Sequence, residues 1–210
     1  MKQRGFTLVE IAIVLVIIGL LLGGVLASQT IVSSTKAKDV VVIIDDLRTA
    51  TTYFKQRYGY LPGDLPNPGT YLNAGLTAGT GGTIGNGSID GTVNVNGQAA
   101  AGSEAAVAPL QLFDAGLIGK IDSGDAQRLI KTSFGAVQIV KSATADGLVP
   151  NFAATNPAAR NAIVFVNLPC DVINEVDNKV DDGNLSTGKA MASNTNCAGT
   201  STVAFFAVAL

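Results

Sequence analysis

The sequence predicts an α+β protein in which one long N-terminal helix lays its second half on a small antiparallel sheet. Three observations carry this expectation. From Phe6 to Tyr58 no proline or turn cluster interrupts helix-compatible sequence, and the first proline is Pro62. Three short runs rich in Val, Ile or Phe follow later, at residues 136–141, 161–168 and 202–210. Two cysteines, Cys170 and Cys197, both fall in that later part. With 210 residues the chain supports one domain of ordinary size beside the N-terminal segment. A hydrophobic fraction of 47% can build a core, while 24 glycines imply much loop.

The first stretch sets the organisation. Lys2 and Arg4 precede Gly5-Phe6-Thr7-Leu8-Val9-Glu10, and an apolar run over residues 11–27 follows. About 20 apolar residues are enough to cross a bilayer as a helix. The leading cations predict a cytoplasmic N-terminus, with everything after Ala27 outside. Glu10 is the one charge in the run; a carboxylate at mid-membrane costs about 2.5 to 3.5 kcal/mol, so it asks for a partner. A secretory signal peptide would be shorter and would end in a small-x-small cleavage site. Here the segment continues through Ser28-Gln29-Thr30-Ile31-Val32 without a break.

At 1.5 Å per residue, Phe6 to Tyr58 makes one helix about 80 Å long. Its second half, residues 28–60, is amphipathic. Val40, Ile44, Leu47, Thr51, Phe54 and Tyr58 recur every three or four residues and draw one stripe, which most of the charged residues avoid. One half therefore suits lipid, and the other suits the face of a folded domain.

Pro62-Gly63-Asp64 and the prolines at 66 and 68 end the helix with turn chemistry. Residues 69–102, rich in Gly, Thr, Asn and Ala, read as surface loop with a short hairpin at 89–95. Residues 103–119 read as a helix with Ser103 as N-cap and Glu104 favourable near its start. Leu110, Phe113 and Leu117 are expected to face the core, and Pro109 restricts the helix start or kinks it. The three strand runs then form the sheet. Between the cysteines, residues 171–182 read as a short helix with Ile173, Val176 and Val180 on one side, stopped at Gly183.

Composition excludes several chemistries. Histidine is absent, which removes the usual general base, the Ser-His dyads and most zinc sites together. No carboxylate pair or Ser-Lys dyad shows catalytic spacing, so the chain reads as non-enzymatic. Net charge is −2; loss of Lys2 and Arg4 with a leader leaves 12 basic against 16 acidic residues, a net of −4. No basic stripe is available for phosphates, so nucleic acid is not an expected partner. Gly183-Asn184-Leu185-Ser186-Thr187-Gly188-Lys189 imitates a nucleotide-binding loop, yet Ala190 replaces the hydroxyl that would hold magnesium and no buried strand leads in. An even cysteine count in an exported domain favours a Cys170–Cys197 disulfide over two buried thiols. No cofactor is expected. The oxygen cluster Asp177, Asp181, Asp182 and Asn184 is a candidate calcium site, weighed against an ordinary solvated helix end.

Arg4-Gly5-Phe6-Thr7-Leu8-Val9-Glu10 with its aliphatic run resembles the prepilin signature of type IV pilins and type II secretion pseudopilins. The resemblance implies a leader of residues 1–5, cleavage by a prepilin peptidase between Gly5 and Phe6, and N-methylation of Phe6. It implies a pilin-like fold: a transmembrane and filament-core helix half at 6–27, an amphipathic half at 28–60 and a globular α+β domain at 61–210. Glu10 would pair with the Phe6 amine of a neighbouring subunit and lock register during assembly; alternatively it snorkels to headgroups near the helix start. Gly19 and Gly23 form a small-xxx-small pair that permits close helix approach, though glycine is also common in membrane helices. Many major pilins carry a proline near Ala27, so its absence predicts a straighter helix. Tyr58-Gly59-Tyr60-Leu61-Pro62-Gly63-Asp64 also resembles a segment after the long helix of pilin-like proteins. Implied partners are pilin-like subunits in homo- or hetero-oligomeric filaments, the peptidase, an inner-membrane platform protein and a motor ATPase. The implied location is the inner membrane as a single-pass protein, then a periplasmic or extracellular filament. The competing class is a membrane-anchored extracytoplasmic binding module or enzyme whose anchor is not processed.

Overall fold

The computed structural model describes residues 7–119, 121, 130–132, 135–197 and 201–210; the side chains of residues 25–31 and 131 lie outside the described set. The first helix, α1, runs unbroken over Leu8–Tyr58, 51 residues. Its end comes earlier than the proline cluster. Gly59 adopts the left-handed conformation (φ 80°), and its N–H donates to the Lys55 carbonyl at 2.8 Å. A glycine C-cap thus closes the helix three residues before Pro62, because no side chain opposes positive φ there.

The stripe drawn from the sequence is the buried face. Val40, Ile44, Leu47, Thr51 and Phe54 are buried, Tyr58 is half-buried, and Ala37 and Ala50 join them. Residues 61–65 then turn under the helix end, with Gly63 N–H donating to Gln111 Oε1 at 2.7 Å. A Cβ on Gly63 would fall 2.3 Å from the Glu104 carbonyl oxygen, so only glycine allows this approach. The buried Asp64 carboxylate accepts from the N–H groups of Gly85, Asn86 and Gly87, which anchors the long loop.

A short turn of helix, α2 (Pro68–Tyr71), opens that loop. The expected hairpin is displaced: pairing is between Val93 and Ala99, with Asn94 and Gly97 in the turn. Ile89 is instead core, and its carbonyl accepts from the Lys141 N–H. The loop is therefore partly interior, contrary to a purely surface reading. Helix α3 (Glu104–Asp114) has Ser103 as N-cap, its hydroxyl accepting from Ala106 N–H, and carries Pro109 inside it. Its core face is not the expected one. Ala105, Ala108 and Leu112 are buried, whereas Phe113 is exposed and Leu110 and Leu117 only half-buried. Close apposition of residues 61–64 selects the small side chains; the Ala108 Cβ already lies 3.2 Å from where a Gly63 Cβ would stand.

Strands β1 (Ile130–Thr132) and β2 (Gly135–Lys141) precede two short helices, α4 (Ser142–Asp146) and α5 (Phe152–Thr155). Strand β3 (Asn161–Pro169), helix α6 (Cys170–Val180), strand β4 (Ala190–Ala192) and strand β5 (Thr202–Ala209) complete the chain. The sheet is antiparallel and five-stranded, in the order β1-β2-β3-β5-β4. Three strands match the expected runs; β1 and β4 are three residues each, too short to show an alternating pattern. Six consecutive buried residues, from Asn161 to Val166, show that β3 is covered on both faces. Register pairs Phe165 with Phe206, whose rings lie 6.4 Å apart. One hydrophobic core holds the α1 stripe, α3, α6 and the sheet together.

Candidate functional site

The first half of α1 stands apart from this core. Leu8, Val9, Ile11, Ile13, Val14, Leu15, Val16, Ile17, Ile18, Leu20, Leu21 and Leu22 are all exposed, in every direction around the helix. Nothing lies within 4 Å of a Cβ built on Gly19 or Gly23. A helix apolar all round is stable when it is surrounded by apolar material. In the isolated chain none is present. No helix among the described residues is long and apolar enough to cross a membrane, and the described side chains of this half end at Gly24.

Glu10 takes a role that was legible but unread in the sequence. Thr7 and Glu10 close a capping box: the Thr7 N–H and hydroxyl each donate to Glu10 Oε2 at 2.8 Å, and the Glu10 N–H donates back to Thr7 Oγ1 at 3.3 Å. The signal was the spacing Thr7-x-x-Glu10 directly before an apolar run. The box satisfies otherwise orphaned N–H groups and holds the carboxylate at the helix start. Gly5 and Phe6, the expected cleavage and methylation positions, lie outside the described residues.

The second half of α1 is fastened to the domain by polar contacts as well as by its stripe. Ser34 Oγ donates to Glu175 Oε1 of α6 at 2.9 Å, and Lys179 Nζ reaches the same oxygen at 2.7 Å. Arg48 Nη2 donates to the Ala209 carbonyl of β5 at 3.0 Å. An apolar rod and a globular domain therefore share one continuous helix.

Cys170 and Cys197 form a disulfide, with Cα atoms 5.2 Å apart. It ties the first residue of α6 to the segment before β5, and the Asn174 amide donates to the Cys197 carbonyl at 3.4 Å. The loop that imitates a nucleotide site, residues 183–189, runs directly into β4 rather than into a helix, so no helix N-terminus faces a phosphate there. Within the same cystine loop, Asp177, Asp181 and Asp182 bring one carboxylate oxygen each to within 4.8 Å of one another. Asp177 is buried, and burial together with the Asp181 and Asp182 charges pushes its carboxyl up to about 6.

A second acidic group escaped the sequence reading. Glu104, expected only to favour a helix start, is enclosed, and desolvation pushes its carboxyl up to about 7. Its Oε2 accepts from the Asp90 N–H at 2.8 Å while Oε1 has no partner. Asp90 in turn pairs with Lys141. Only the tertiary fold stacks the loop over α3 and β2, so no local signal marked this burial.

Comparison with known proteins finds a match at the exposed apolar rod and its capped start. No curated protein and no solved structure matches the chain. Over residues 1–26 it matches the family model of the prokaryotic N-terminal methylation motif, and with it carries the signature of type IV pilins and pseudopilins.

Proposed function

We propose that the chain is a structural subunit, without catalysis, of a type IV pilus or pseudopilus filament. A prepilin peptidase cuts between Gly5 and Phe6 and the new Phe6 amine is methylated. Residues 6–27 hold the subunit in the inner membrane as a single span, with the acidic domain outside. Assembly then moves this half of α1 from lipid into the bundled core of a homo- or hetero-oligomeric filament, periplasmic or extracellular. A motor ATPase and an inner-membrane platform protein supply the energy and the template for extraction.

The observation that carries the reading is the continuity of α1. Its first half is apolar on all sides, and its second half is locked to the domain by a buried stripe, Arg48 and Ser34. An anchor that only tethers a binding module or enzyme needs no such rigidity. A filament subunit does, because the position of the domain must follow from the position of the packed helix. The methylation motif at residues 1–26 supports the same reading.

Mass spectrometry of the membrane-extracted protein tests it. A mature chain beginning at methylated Phe6 is expected. An intact Met1, or a cut beyond Ala27, would overturn processing and favour the unprocessed-anchor class.

A further inference from the structure

The acidic end of α6 carries more than an ordinary solvated helix terminus. Asp177 is 0% exposed, and neither of its carboxylate oxygens has a hydrogen-bond partner. Buried carboxylates are normally hydrogen-bonded or paired, since an orphaned charge in the interior is costly. The nearest charged groups make the deficit worse: Asp181 and Asp182 bring their own carboxylates within 4.8 Å. No ion pair found among the described residues involves any of the three.

The surrounding backbone holds these acids together instead of letting them separate. Asp181 Oδ2 accepts from the Ala190 N–H at 2.7 Å, which binds it to β4. Asp182 Oδ1 accepts from the Asn184 N–H at 2.9 Å and its Oδ2 from the Thr187 hydroxyl at 2.8 Å. Gly188 lies so close that a Cβ there would stand 2.0 Å from Asp181 Oδ2. The Asn156 amide fixes the Gly188 carbonyl at 2.9 Å. Apart from Asn156, all of this lies inside the loop closed by the Cys170–Cys197 disulfide.

We propose that Asp177, Asp181 and Asp182 bind a hard divalent cation of the calcium class, which bridges the C-terminal end of α6 to the 183–190 loop and the edge strand β4. Three carboxylates offer oxygen donors only, as such a cation requires, and water completes the shell. Calcium suits the set better than magnesium, because it accepts irregular, partly bidentate carboxylate ligation and sheds water more readily. The cation supplies the partner that Asp177 lacks and cancels the repulsion among the three acids. Sites of this kind outside the cell work at about 10⁻⁴ to 10⁻³ M calcium, so binding there would be part of the domain's normal state. The inference concerns the domain alone and stands whether or not the chain enters a filament.

The competing explanation is a protonated, uncharged Asp177 with no metal. Thermal unfolding of the full chain in detergent, stripped with a chelator and then given calcium chloride at about ten times the dissociation constant, separates the two. The expected result is a rise of about 3 to 6 °C in midpoint, reversed by chelator and smaller with magnesium chloride. Asp177→Asn is expected to lose the rise while unfolding, without calcium, no earlier than the unsubstituted chain, since an uncharged amide needs no counter-ion. If that variant fails to fold, Asp182→Asn takes its place and is expected to weaken calcium binding at least about tenfold in a calorimetric titration. An unchanged midpoint at about 5 mM calcium, or a rise that survives in the variant measured, overturns the proposal.

Discussion

Glu104 stands with one oxygen bonded to the Asp90 N–H and the other unpartnered, among Asp64, Asp90 and Lys141. Its folded carboxyl titrates at about 7 against 4.5 for the free group, with desolvation the leading cause. Between those values the folded state holds the extra proton, so stability falls as pH rises through the window and is lowest above it. The whole shift corresponds to roughly 3 kcal/mol as an upper bound. Glu104→Gln keeps an acceptor for Asp90 and removes the titration. Its denaturation midpoint is expected to exceed that of the unsubstituted chain above about pH 8 and to match or fall below it near pH 5. Parallel pH profiles for the two proteins would show that Glu104 is not the group responsible. At the other end of the chain, substitution can separate the capping role of Glu10 from its proposed pairing with the Phe6 amine of a neighbouring subunit. Thr7→Ala removes the capping box and costs about 1 kcal/mol of helix-start stability, leaving the carboxylate in place. Glu10→Ala removes both. Filament yield in cells is expected to fall to background for Glu10→Ala, with membrane insertion intact, and only modestly for Thr7→Ala. Equal loss in the two variants would make capping, not pairing with Phe6 of a neighbour, the function of Glu10.

At the scale of elements, the disulfide holds the irregular stretch that follows α6. Among the described residues between α6 and β5 the only regular element is the three-residue strand β4, and the cystine closes a separation of 27 residues around it. In the chain-entropy description this contributes about 3.5 kcal/mol. The double change Cys170→Ser and Cys197→Ser is expected to lower the thermal midpoint by about 7 to 14 °C while leaving the helical content of α1 unchanged by circular dichroism. Loss of that helical signal as well would mean that α6 carries α1, through the Ser34–Glu175 contact and its neighbours. Helix α3 shows how far element-level reading reaches. Its start and the Ser103 cap followed from local chemistry, but its end at Asp114, short of the expected residue 119, and its buried face did not. Helical spacing points to Phe113, whereas the backbone at Gly63 comes too close for anything larger than Ala108, and that at Gly91 for anything larger than Ala105. Similarly, the strand runs at 136–141, 161–168 and 202–210 were legible because each is long enough to show its apolar character. β1 and β4 depend wholly on the partner strands that receive them.

For the whole molecule, the dividing line falls within α1. Every described core residue lies at or beyond Ala37, and every described large side chain between Leu8 and Leu22 is exposed. A chain beginning at Ser28 therefore retains the complete core. It is expected to elute as a detergent-free monomer in gel filtration, with the cooperative unfolding of a single domain. Aggregation or loss of cooperativity would show that the apolar half contributes to the fold as well as to its surroundings. The same division explains the proposed life of the subunit. Its apolar half needs an apolar environment, either lipid or other copies of itself, and its folded half is unaffected by the exchange.

The sequence by itself determined the long helix, its two characters, the amphipathic stripe, the three longer strands and the cysteines available for pairing. Each of these rests on local periodicity or on residue type, so no distant contact is needed to read it. Only the tertiary structure decided which acids are buried, which face of α3 is inside and where the short strands sit. Glu104 reads as an ordinary helix-start residue in the linear chain, and Asp177 as one of an acidic cluster whose burial no local pattern shows. Their chemistry is set by the loops that the fold lays over them, through desolvation in both and, for Glu104, through Asp64 and Asp90 brought close from segments distant in sequence.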